Sequence, residues 1–137
     1  MKITDGVFRA WDTIEEVMCE VGFIDFVNKR IQLAVVDNGI CYAIYNRRFD
    51  EVVVDDCVSG EDKNGTMIYE NDVIEYTYYD GEKERYIVTY TDDNYDGILL
   101  LSPVDKNGDA WNHYYGGWYT RDFCVIGNIH ENPELMK

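Results

Sequence analysis

Short apolar and alternating runs, separated by turn residues, fill most of the chain, and they predict strands rather than helices. The second half alternates most clearly. Ile74, Tyr76 and Tyr78 fall on one face of a strand, with Glu75 and Thr77 on the other. Asp80-Gly81 turns the chain, after which Tyr86, Val88 and Tyr90 share one face of a returning strand and Ile87, Thr89 and Thr91 the other. Ile98 to Leu101 is a short apolar run closed by Pro103, the pattern of a buried strand. Phe123 to Ile129 predicts a closing strand. Asn132-Pro133 then supplies the cap and first residue of a last short helical turn.

The first half is less regular. Phe8-Arg9-Ala10-Trp11-Asp12 opens the ordered part, with Phe8 and Trp11 as anchors on a first sheet and Arg9 and Asp12 turned elsewhere. Two readings compete over residues 13–20. Ile14, Val17, Met18 and Val21 recur at helical spacing behind a Thr13–Glu16 capping box. Against this, the run Val21 to Val36 is rich in Val, Ile and Phe, and predicts a hairpin of Val21–Phe26 with Ile31–Val36 around Asn28-Lys29-Arg30. Asp37-Asn38-Gly39 is a second hairpin turn, followed by a strand from Ile40 to Tyr45, a polar loop to Glu51, and Val52-Val53-Val54 ended by Asp55-Asp56.

Between the halves lies Ser59 to Tyr76, with two turns, Asp62–Gly65 and Tyr69–Asp72, around the apolar pair Met67-Ile68. Asp and Asn side chains bond their own backbone in such turns, and Gly takes positive φ without steric cost. The expected architecture is therefore mainly β, with little helix. An N-terminal β-sheet unit occupies 1–56, and a small barrel or sandwich with a short C-terminal helix occupies 57–137. Asp105–Gly108 repeats the turn of Asp62–Gly65 only once, as a recurring turn rather than a structural repeat.

Composition narrows the function classes. An apolar content of 46%, with 12 Tyr, 5 Phe and 3 Trp, is ample for a packed core and excludes a disordered chain. Twelve basic against 27 acidic residues give a net charge of −15. The only close basic pairs are Lys29–Arg30 and Arg47–Arg48, so direct nucleic-acid binding is not expected. No run approaches the ~20 apolar residues of a membrane span, and the first residues lack the apolar core of a signal peptide. These features point to the cytoplasm. Cys19, Cys41, Cys57 and Cys124 are scattered without a CxxC pair, and with His113 and His130 form no zinc spacing. They read as buried reduced thiols. Asn64-Gly65-Thr66 matches a glycosylation acceptor, but carries no weight without an export signal.

Two segments invite a chemical reading. Asp92-x-Asn94-x-Asp96-Gly97-Ile98 opens like a calcium loop, but its twelfth position is Pro103 instead of a bidentate glutamate, and strands flank it. An incidental acidic turn accounts for it better than a divalent-ion site, and no cofactor or metal is expected. The aromatic run containing Trp111, Tyr114, Tyr115, Trp118 and Tyr119 could stack bases or a sugar, yet only Arg121 lies near it. Packing at the core or a subunit interface is the better reading. No nucleophile–base pairing, Gly-rich phosphate loop or HExxH motif is present, so no enzyme is expected.

Three segments in order resemble the YopX family of phage and prophage proteins. They are Phe8-Arg9-Ala10-Trp11-Asp12; Asp62-Lys63-Asn64-Gly65 with Ile68-Tyr69-Glu70-Asn71-Asp72-Val73; and Val125 through Leu135. The family pattern usually has glycine where this chain has Asn71, and threonine-glycine where it has Ser59-Gly60. Asn is the next-best residue for a left-handed position. The resemblance implies strands after Asp12, an SH3-like small β-barrel in the C-terminal half, and a homo-oligomer. It implies no activity. The expected function is a non-enzymatic protein-interaction or self-assembly module, alone or with a host or phage protein. The alternative is an acidic nucleic-acid mimic that binds a host DNA- or RNA-binding protein, with Asp50, Glu51, Asp55, Asp56, Glu61 and Asp62 clustered on one face.

Overall fold

The computed structural model describes residues 8–89, 99–104, 113–115 and 120–136. The fold is mainly β, and every strand pairing among these residues is antiparallel. The chain divides into two compact units, Met1–Asp56 and Cys57–Lys137.

The first unit is one sheet built from β1 (Phe8–Asp12), β2 (Val17–Asp25), β3 (Arg30–Asp37), β4 (Ile40–Arg48) and the first half of β5 (Val52–Glu61), in the order β4-β3-β2-β1-β5. Its turns follow from side chains that close them. The Asp25 carboxylate accepts from the Val27 and Asn28 amides at 3.0 and 3.1 Å, and Lys29 takes φ 53 to bring the chain into β3. Asn38 and Gly39 take φ 51 and 77, the two left-handed residues of a tight hairpin.

Residues 13–20 do not form a helix. The Asp12 carboxylate accepts from the Ile14 amide at 2.9 Å and closes a turn, Glu16 goes left-handed at φ 54, and β2 begins at Val17. Thr13 is drawn away from any capping box, because its amide and hydroxyl both donate to the Glu51 carbonyl, at 3.0 and 2.8 Å. Strand pairing of Ala10 with Cys19 then decides the conformation. β4 extends to Arg48, so the predicted polar loop shrinks to the 3-10 turn Phe49–Glu51, and β5 continues through Asp55-Asp56 to Glu61.

The second unit holds the end of β5, paired with β6 (Met67–Tyr69), and a sheet of β7 (Asp72–Thr77), β8 (Lys83–Thr89), β9 (Leu99–Pro103), β10 (His113–Tyr115) and β11 (Phe123–Asn128). Its order is β10-β9-β8-β7-β11. A four-strand meander whose fifth strand returns to pair the first, after a 3-10 turn at Thr120–Asp122, is the connectivity of SH3-type barrels. Ile68, Ile74, Tyr86, Val88 and Phe123 form its core, flanked by Tyr76 and Val125. Pro133–Met136 is the short terminal turn that Asn132-Pro133 predicts.

Candidate interaction surface

Polar side chains in the first unit are largely consumed internally. Ala10 and Asp12, two apart on β1, both point into the core, which is completed by Cys19, Ile31 and Leu33. This corrects the expectation that Phe8 anchors the strand while Asp12 points away, since Phe8 is exposed and Asp12 buried; Trp11 is half-buried. Tyr45 and Arg47, two apart on β4, reach the same carboxylate: the Tyr45 hydroxyl donates at 2.6 Å and the Arg47 Nε at 3.2 Å. Arg47 also lies 4.6 Å over the Tyr45 ring. Burial works against the charge on Asp12, but the bonds from Tyr45, Ile14 and Arg47 together hold its carboxyl below the usual range. Burial, then the bond to Asp12, push Tyr45 far up, so it stays a donor. The Cys19 thiol is pushed up chiefly by burial. The group is a lock between β1 and β4 in which each member already serves another.

The same holds for the two turns of the second unit. The Asp62 carboxylate accepts from the amides of Asn64, Thr66 and Val125 at 2.8, 2.8 and 2.9 Å, which fastens the turn to β11. Burial opposes its charge, but these three bonds keep its carboxyl low. Asn71 sits left-handed at φ 67, receives the Ile129 amide at 3.0 Å and donates its own to Val88 at 2.8 Å. The Asn128 side chain accepts from the amides of His130 and Glu131 at 3.0 and 2.8 Å. His130 therefore belongs to a terminal turn.

These roles bear on the acidic face expected of a mimic. Asp55 and Asp62 are buried, Asp55 paired with Arg9 at 3.0 Å, while Arg48 holds Asp50 at 3.1 Å and Glu51 at 3.6 Å. Asp55 and Asp62 are therefore not available to an open acidic face.

Exposed apolar residues occur in both units, Ile14, Phe23 and Tyr79 among them. Ile40, Tyr42 and Ile44 on β4 are 56, 66 and 62% exposed, and Phe26 and Val27 crown the β2–β3 turn. β4 is an edge strand of the first unit's sheet. Of the four thiols only Cys19 is buried, because Cys41 sits on this exposed segment, and Cys57 and Cys124 are half-buried. All four are free. Trp111, Trp118 and Tyr119 lie outside the described residues, as do Asp92, Asn94 and Asp96, and Tyr114 and Tyr115 are described only as backbone of β10. Among the described residues no group of His, Cys, Asp and Glu is placed to hold a metal ion. No helix among them is long and apolar enough to cross a membrane.

The family comparison decides the lineage. The YopX protein family matches residues 7–137. This chain belongs to the YopX family. Two crystal structures share the fold along almost their whole length. Protein EF1440 from Enterococcus faecalis is 29% identical, with a TM-score of 0.58, over 95% of this chain and 96% of that one. Protein yopX from Bacillus subtilis is 18% identical, with a TM-score of 0.57, over 98% and 100%. No curated protein matches. The YopX motifs of this chain, around Asp62, Asn71 and Asn128, all serve turns and packing.

Proposed function

We propose that the protein is a non-enzymatic interaction module of a phage-type system, one that assembles with copies of itself and through them with a protein partner. The observation that carries this reading is the exposed apolar segment Ile40–Ile44 on an edge strand, in a chain where 28% of residues are charged. Edge strands are normally blunted by charge, proline, a bulge or cover; this one has a bulge at Tyr42 but no charge or proline over Ile40–Ile44, so its apolar edge supports a short interface. The polar clusters support it too: the Asp12, Asp62 and Asn128 groups are spent on backbone and side-chain partners. The aromatic run at Trp111–Tyr119 has the composition of a second contact region.

The acidic-mimic alternative rests on the charge of −15 alone, and the internal use of Asp55 and Asp62 weakens it. Light scattering across a concentration series tests the proposal: a defined oligomer is expected, and a monomer throughout would reject self-assembly. A pull-down from host lysate at low and high salt tests the alternative, which requires a nucleic-acid-binding protein that is released as salt rises.

A further inference from the structure

The β3–β4 hairpin outruns its sheet. β2 pairs β3 only from Asp25↔Arg30 to Glu20↔Ala34, whereas β3 and β4 stay paired to Asp37↔Ile40. Among the described residues, Val35, Val36 and Asp37 therefore pair with β4 alone, and the hairpin end is a two-stranded arm from Ile40 to Ala43 of β4, rooted where Val35 packs on the core. Every residue from Ile40 to Ile44 is exposed, on both faces of the strand. Two strands without a third are marginal in water, and this arm offers apolar side chains instead of the charges that would keep it solvated.

We infer that the arm pairs with the arm of a second copy, β4 running antiparallel to β4 with residues 40–44 of each alongside 40–44 of the other. This rests on the self-assembly reading above and names its surface.

Charge selects the occupant. The sixteen residues 31–46 contain one charged side chain, Asp37, in a chain of net charge −15. Two such chains repel wherever their acidic faces meet, and this is the stretch on which they can close. A basic partner would be drawn to the acidic faces instead.

The irregularity in β4 sets the extent of the pairing. Val36 pairs Cys41 and Val35 pairs Ala43, so Tyr42 is the extra residue of a bulge. A bulge twists an edge and limits strand addition to a few residues. With Arg47 and Arg48 beyond, the contact is short, two-fold and self-limiting, closing on two copies rather than growing as a fibre.

Cys41 reports on this contact in the native chain. Paired segments 40–44 bring the two Cys41 residues within two positions of each other, a span that a short bismaleimide covers, and Cys41 is the exposed thiol. A cross-linked dimer is expected in wild type, absent in Cys41→Ser and sharply reduced in Ile44→Lys, whose folding is checked by circular dichroism. An oligomer by light scattering with no Cys41-dependent cross-link, or with Ile44→Lys as fully cross-linked as wild type, overturns arm pairing and leaves self-assembly standing. A monomer at all concentrations removes both. Should Ile44→Lys fail to fold, Tyr42→Lys on the same exposed segment serves in its place.

Discussion

The Tyr45 hydroxyl donates a 2.6 Å hydrogen bond to the buried Asp12 carboxylate, joining β4 to β1 although β3 and β2 lie between them in the sheet. A flat sheet would hold these strands apart, so the bond marks how strongly this one curls over its core. Tyr45→Phe removes one hydrogen bond to a charged group and should cost about 1.5–3 kcal/mol. Asp12→Ala should cost more, because it strands both Tyr45 and Arg47 and opens the turn at Ile14. Urea denaturation of the two variants checks the order; equal stabilities would mean the lock is not formed.

Acid should loosen both units. Asp12 and Asp62 are held below the ordinary aspartate value of 3.8, so between the folded and unfolded values the unfolded chain binds more protons. The stability they contribute is present above 3.8 and is lost as pH falls through their depressed folded values. Thermal melts from neutral pH downward should show this decline, and Asp62→Asn should flatten it while lowering stability at neutral pH. An unchanged slope in Asp62→Asn would contradict the assignment.

Position 71 offers a backbone test. Asn71 is left-handed at φ 67, where a β-carbon is unfavourable and only Gly is free of the penalty. Asn71→Gly should therefore exceed Asn71→Ala in stability by about 1 kcal/mol. Thermal melts of the pair decide it, and Ala matching Gly would mean the turn can relax.

Gly127 is limited by space. A β-carbon there would lie 2.5 Å from Asn132 Oδ1 and 2.8 Å from Leu135 Cδ1, at the irregularity in β11. Gly127→Ala should push the Pro133–Met136 turn off the barrel and cost about 1–3 kcal/mol. Faster amide exchange at residues 132–136 is the expected signature, and unchanged exchange would show that the turn is not packed on Gly127.

The turns and the strands β7 and β8 were legible in the sequence, because alternation in β7 and β8 and the Asp, Asn and Gly turn residues act locally. Asp12 was not. A carboxylate beside a tryptophan reads as outward-facing, and only its partners Tyr45 and Arg47, more than thirty residues away, make its burial possible. A signal existed in the shared two-residue spacing of Ala10 with Asp12 and of Tyr45 with Arg47. The arm was hidden for the opposite reason. Ile40, Tyr42 and Ile44 read only as part of a strand, and their exposure follows from β4 lying at the edge of its sheet, a feature of topology. Its sequence mark was the near absence of charge over residues 31–46.

Hydrogen exchange of the β4 amides, compared at low and high protein concentration, tests the central claim most directly. Assembly through the apolar edge predicts that residues 40–44 gain protection as concentration rises, while exposed Tyr79 and its neighbours do not. Exchange at residues 40–44 that is fast and independent of concentration would contradict it.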